Sequence, residues 1–225
     1  MILKEVIKLF LMVIKMRNKF AIKEIFYSIQ GEGFHVGKAA IFIRFSSCNF
    51  WSGKEVDRST AICKFCDTDF IGVDGNNGGV YTSETLIDKL NSLSESCKYV
   101  VLTGGEPLLQ VTYDLVESLK NNGYYVAIET NGSIVPHSNI DWICCSPKSL
   151  ERLEVKKAHE LKIVYPSIDP SVYSSKIKAE HYYIQPTDIE DKEIKKNNVY
   201  ECIAYCMDNP QWKLSLQTHK YMGID

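Results

Sequence analysis

The chain has 225 residues, 45% of them hydrophobic and 24% charged, with a formal net charge of −2. Those figures fit one ordinary globular domain with a sizeable core, and they leave no electrostatic footprint for nucleic acid. Eight cysteines without a secretory signal point to a reducing compartment, the cytoplasm, and to metal chemistry rather than disulfides.

Residues 1–19 are apolar and basic by turns, with an apolar stretch at 9–14. A spanning helix needs about 20 apolar residues, and no small-residue cleavage site follows, so neither a membrane anchor nor a signal peptide is expected. Ile2, Val6, Leu9, Val13 and Met16 approximate a helical stripe. Met12 or Met16 would serve equally as the start. The segment reads as an appendage to a single domain over 20–225.

From Phe20 the chain repeats one unit. Apolar, β-branched or aromatic runs suited to strands occur at 40–45, 99–103, 124–129, 142–145, 160–164, 182–185 and 212–216. Between 72 and 79 the sequence GVDGNNGG reads as a flexible loop. Ser83 is placed to cap a helix with Leu86, Ile87, Leu90 and Leu93 on one face. A second helix is expected over 111–121 with Gly123 just past its end, and a third over 191–207, where Cys202 and Cys206 share a face as packed thiols. Alternating strands and helices predict an α/β fold with a mainly parallel sheet and sites at the strands' C-terminal ends. The polar clusters TGGEP, ETNGS, SPK and QPTD fall at those ends. A full eight-unit barrel typically takes about 250 residues, so an open, partial (β/α) barrel fits better.

The stretch 48–66 carries three cysteines, with fourteen residues between Cys48 and Cys63 and two between Cys63 and Cys66. Structural zinc wants four closed ligands, and iron–sulfur clusters usually take four thiolates. Asp67 and Asp69 follow, but no His or Cys nearby completes a set. On the cysteines alone, zinc and a cluster are equally open. Three thiolates on a four-iron cluster would leave one iron free to bind a small molecule. Downstream, VVLTGGEPLLQ ends an apolar run in Gly104 and Gly105, whose backbone can approach a ligand closely. Together the two stretches resemble the radical S-adenosylmethionine (SAM) superfamily, with Phe65 at its aromatic position near the adenine. The usual spacing there is C-x₃-C-x₂-C, so the long first gap is a departure.

A narrower resemblance covers about Lys19 to the C-terminus. EIFYSIQGEGFHVGKAAIFIRFSSCNFWSGKEVDRSTAICKFCDTDF, then VLTGGEPLLQ, AIETNGS, IDWICCSPK, ELKIV, YYIQP and PQWKLSLQTHKYMGI resemble the 7-carboxy-7-deazaguanine synthase family. In that family the long cysteine gap is expected. The resemblance implies a radical SAM lyase of 7-deazapurine (queuosine-type) biosynthesis, using a 4Fe–4S cluster, SAM and Mg²⁺. It would convert 6-carboxy-5,6,7,8-tetrahydropterin to 7-carboxy-7-deazaguanine with loss of ammonia, a 5′-deoxyadenosyl radical abstracting the C6 hydrogen. It also implies a homodimer served by a flavodoxin-like or other reductant, with no nucleic-acid or membrane partner.

By that resemblance Cys48, Cys63 and Cys66 ligate the cluster, and Gly105 meets the SAM amino group. Ser146, Pro147 and Lys148 line the cofactor, and Gln185, Pro186, Thr187 and Asp188 form a second cofactor loop, with Thr187 where the family has a hydrophobic residue. Substrate contacts fall on Ile29, Gln30, Gly31, Arg44 and Thr103, and on the terminal carboxylate, here of Asp225. Thr68 would give a hydroxyl to Mg²⁺, an ion that prefers an octahedron of oxygens and would need substrate to complete it. Read without the resemblance, IQGEG and CDTDF are turns, and Arg44 pairs with a structural acid. His219 reads as structural. Two competitors remain, a radical SAM activase acting on a protein partner and a non-enzymatic zinc-binding module.

Overall fold

A computed structural model describes residues 19–224. All of the appendage at 1–19 except Lys19, and the role expected of Asp225, lie outside the described residues.

Nine strands form one sheet: β1 (Phe20–Ile29), β2 (Ala39–Phe45), β3 (Gly79–Tyr81), β4 (Tyr99–Gly104), β5 (Tyr125–Thr130), β6 (Trp142–Cys145), β7 (Lys157–Tyr165), β8 (Lys178–Pro186) and β9 (Trp212–Leu214). Their order is β3-β1-β2-β4-β5-β6-β7-β8-β9. From β2 to β9 every pairing is parallel, while β1 runs antiparallel to both β2 and β3. The sheet stays open between β3 and β9. This is the open, mainly parallel α/β architecture that the sequence predicts.

The predicted strands recur, with β7 and β8 starting earlier, in polar residues such as His159 and His181. Two strands were not expected. In β1 the adjacent Lys23 and Glu24 interrupt the apolar run, and the ladder slips between Ile22 and Glu24, the position of a bulge. β3 begins inside the expected loop at 72–79. That loop is pinned to β1, with the Ile25 N–H donating to Asn76 O at 2.8 Å and Asn77 Nδ2 to Ile25 O at 2.9 Å.

The helices are α1 (Ser83–Leu93), α2 (Tyr113–Asn121), α3 (Pro170–Ser174), α4 (Lys192–Asp208) and α5 (Thr218–Met222). The cap of α1 is Thr82, not Ser83: its hydroxyl accepts the Thr85 N–H while Thr85 Oγ1 accepts the Thr82 N–H, a reciprocal pair. Thr112 caps α2, which therefore starts two residues later than predicted. Asp191 caps α4, accepting from Glu193 and Ile194 at 3.0 Å each. Cys202 and Cys206 both pack into the core under α4.

Strand residues alternate between the two faces of the sheet. Ile41, Ile43, Leu102 and Ile128 go to the core shared with Leu86, Leu90, Leu115 and Leu119 of α1 and α2. Their neighbours Phe42, Arg44, Thr103 and Glu129, with Lys162 of β7, face a cavity instead. The loop between β1 and β2 crosses below it, where Phe34 stacks on Trp142 at 4.9 Å and on His181 at 4.3 Å.

Candidate active site

The cavity measures about 430 Å³. Cys48 follows β2, and Cys63 and Cys66 lie on the loop after the 3₁₀ turn Glu55–Thr60; all three line it. Arg58 explains how a fourteen-residue gap closes. Its guanidinium lies 4.0 Å from the Trp51 ring, three residues after Cys48. Its Nη1 donates at 3.1 Å to the carbonyls of both Lys64 and Cys66. The Cys66 thiol is drawn down to about 6 by the hydrogen bond from Cys63, whose own thiol is pushed up. Among the described residues no three His, Cys, Asp or Glu converge tightly enough to hold a single metal ion. The donors on offer are the three cysteines that line the cavity, the thiolate chemistry that iron–sulfur clusters take.

The GGEP turn explains its glycines. Gly104 has φ +144°, and a Cβ there would lie 2.3 Å from Phe45 O. A Cβ on Gly105 would meet Ser47 O at 2.3 Å and the Cys48 Cβ at 2.7 Å. Only a bare backbone fits against the first cysteine. Glu106, fully buried, accepts from Asn131 N at 2.7 Å, from the Thr130 hydroxyl at 3.0 Å and from Leu108 N at 3.1 Å. Asn131 in turn donates from Nδ2 to Asn49 Oδ1 at 3.0 Å and, at 4.0 Å, to Cys48 Sγ.

Of the expected cofactor residues, Gly105, Ser146, Lys148, Gln185, Pro186 and Asp188 line the cavity. Ser146 is set by its N–H on Thr130 O at 2.8 Å, and its hydroxyl accepts from Lys148 Nζ at 2.5 Å. Burial lowers the Lys148 ammonium's affinity for its proton. Pro147 and Thr187 are buried behind the wall. The Thr187 hydroxyl pairs with Ser167 at 2.8 Å, its N–H donates to Tyr165 O and its carbonyl accepts from Asn198. Its backbone is therefore committed within the protein.

The expected substrate residues Ile29, Gln30, Gly31, Arg44 and Thr103 all line the cavity, as does Thr68. Arg44 does pair with an acid, donating from Nε to Glu24 at 2.7 Å, and among the described residues nothing accepts from its Nη1 or Nη2. Beside Thr68 the two aspartates are engaged, Asp67 with Lys220 at 2.7 Å and Asp69 with Lys23 at 2.9 Å.

Sequence reasoning did not single out a buried ionic network on the same wall. Lys162, 4% exposed, donates to Glu32 at 2.5 Å and to Glu129 at 2.7 Å. Gln30 donates to Glu129 at 3.2 Å, and Gln217 to Glu32 at 2.9 Å. A lysine inside the apolar run ELKIV was the available signal. The chain's end closes over this network: the Thr218 N–H and hydroxyl both donate to Gly31 O at 3.0 Å, and Lys220 bridges Asp67 and Asp188. His219, read as structural, also lines the cavity.

An open, mainly parallel sheet whose cavity is lined by three cysteines and a bare glycine turn defines a radical SAM protein, and residues 58–169 match the Radical SAM superfamily. The chain is 47% identical to the 7-carboxy-7-deazaguanine synthase of Bradyrhizobium diazoefficiens, over 91% of this chain and 99% of that one. It is 44% identical to the enzyme of the same name from Bordetella pertussis, over the same shares. It belongs to the 7-carboxy-7-deazaguanine synthase family. Its fold is that of the crystal structure of QueE from Escherichia coli, with a TM-score of 0.62 at 24% identity over 88% of this chain and 93% of that one.

Proposed function

We propose that this chain converts 6-carboxy-5,6,7,8-tetrahydropterin to 7-carboxy-7-deazaguanine with release of ammonia, for 7-deazapurine biosynthesis. The observation that carries the reading is that the IQGEG loop, Arg44 and the three cysteines line one cavity. Cys48, Cys63 and Cys66 hold a 4Fe–4S cluster, which with SAM supplies the radical that takes hydrogen from the substrate. The bare backbone of Gly105 receives the SAM amino group. Ser146, Lys148, Gln185, Pro186 and Asp188 line the rest of SAM, with Pro147 and Thr187 shaping their loops from behind.

Glu24 holds Arg44 by Nε, which leaves the Nη pair for the pterin carboxylate, a two-pronged charge-assisted contact. Ile29, Gln30, Gly31 and Thr103 meet the ring, and the carboxylates of Glu32 and Glu129 suit its N–H donors. Engagement of Thr218 and Lys220 at the cavity supports a role for the chain's terminal carboxylate, that of Asp225, on the pterin. Thr68 would offer its hydroxyl to Mg²⁺, which would supply charge stabilisation to an oxygen-rich substrate there. The working protein is a cytoplasmic homodimer reduced by a flavodoxin-like donor. No helix among the described residues is long and apolar enough to cross a membrane.

Anaerobic reconstitution with iron and sulfide, followed by mass spectrometry of pterin reactions with and without SAM, tests the reading. The expected result is brown protein absorbing near about 400 nm and SAM-dependent formation of the deazaguanine acid. Colourless protein with bound zinc would overturn it, and so would SAM cleavage that leaves the pterin intact.

A further inference from the structure

Ser215, the residue after β9, stands behind the cavity wall and is 3% exposed. Its N–H donates to Ile184 O at 2.8 Å, which seats it on β8 beside Gln185. Its hydroxyl then makes two buried bonds in opposite directions. It accepts the Gly33 N–H of the IQGEG turn at 3.0 Å and donates to Gln185 Oε1 at 3.0 Å. Gly33 has φ +64°, and a Cβ there would lie 2.0 Å from Glu160 Oε1, so only glycine brings its N–H to Ser215 in this way.

The polarity of this relay follows from its first member. A backbone N–H can only donate, so the Ser215 oxygen has to accept from it. The hydroxyl proton is then free for Gln185, and leaving it buried without an acceptor would be costly. Gln185 therefore turns the carbonyl end of its amide to Ser215. The nitrogen end, with no acceptor among the described residues, is left to the cavity that Gln185 lines. One hydroxyl thus makes the cofactor wall present a donor and braces the substrate turn at the same time.

We propose that Ser215 is a positioning residue for both ligands. Through Gln185 it aims the amide N–H donors at an acceptor of SAM, and through Gly33 it holds the turn that meets the pterin. The inference rests on the proposed function, which places SAM against Gln185 and the pterin against Gln30 and Gly31. The test measures binding of SAM, and of the pterin in the presence of SAM, to anaerobically reconstituted protein without reductant, so that nothing turns over. Ser215→Ala should weaken each by roughly fivefold or more at unchanged iron content. In a Gln185→Met background the same substitution should no longer change SAM binding, because the amide it aimed is gone. It should still weaken the pterin there, because Gly33 again loses its acceptor. A merely structural Ser215 would weaken SAM alike in both backgrounds, and that result overturns the proposal. Unchanged affinities in Ser215→Ala overturn it too. Unmodified protein that fails to bind SAM or the pterin overturns the proposed function and this inference with it.

Discussion

The carboxylate of Glu106 accepts the backbone N–H of Asn131 at 2.7 Å, tying the turn after β4 to the turn after β5. Burial raises this carboxyl to about 7 from an ordinary 4.5, against the opposing pull of the hydrogen bonds from Asn131, Leu108 and Thr130. The native state thus holds the proton more tightly than the unfolded chain. Glu106's contribution to stability is complete below about pH 4.5 and is lost as pH rises through about 7.

Glu106→Gln cannot ionise, so it should escape that loss. Between about pH 4.5 and about pH 8 the wild type should lose up to about 3 kcal/mol relative to the variant. Urea denaturation at several pH values measures this. A stability difference constant across the window would show that Glu106 does not change its protonation there.

Lys162→Met removes the counter-charge of Glu32 and Glu129. Breaking a buried pair from one side typically costs about 3–5 kcal/mol. Burial alone pushes the Glu32 carboxyl up, but the charge and hydrogen bond of Lys162, helped by Gln217, bring it down to about 2. A depressed carboxyl contributes stability above its ordinary value and loses it as pH falls towards 2. The wild type therefore gives up this contribution in acid, so the variant's deficit, read by urea denaturation followed by tryptophan fluorescence, should be largest near neutral pH and narrow as pH falls from about 4.5 towards 2. A deficit that stays constant with pH would count against the network as a source of stability.

Replacing Cys48, Cys63 or Cys66 with Ala should abolish iron retention or SAM cleavage, since each removes one of three anchors. Cys97→Ala and Cys202→Ala should leave iron content unchanged while costing stability, because both thiols are buried packing groups. Iron and sulfide assays after reconstitution decide it. SAM cleavage at the wild-type rate in Cys63→Ala would remove the basis for the assignment.

Thr68→Ala should weaken the Mg²⁺ stimulation of turnover and leave the cluster's absorbance intact. Titration of activity against Mg²⁺ gives the answer. An unchanged response would reduce CDTDF to a turn braced by Lys220 and Lys23.

What the sequence made legible follows from the physics of each element. Strands such as β4 and β6 sit inside a parallel sheet and read as near-continuous apolar runs. β1 evaded recognition because an antiparallel strand with a bulge at Lys23–Glu24 breaks any simple period. The cysteines and glycines were visible because their chemistry is local. Glu32, Glu129 and Lys162 were not: each charge looks like a solvated surface residue until a curved sheet brings together positions 130 apart. The cap of α1 went to Thr82 rather than Ser83 through a threonine pair, a choice that adjacent hydroxyl residues leave undecided on paper.

The hydrogen bonds from Thr218 to Gly31 and from Gln217 to Glu32 join residues 187 and 185 apart. They bear on how the protein is made. Chains fold progressively from the N-terminus during synthesis, and contacts of such separation form last. The cysteine loop is thus delivered early, while the side of the cavity that α5 closes stays open until Gln217 and Thr218 arrive. That interval gives iron and sulfide a wide approach to Cys48, Cys63 and Cys66.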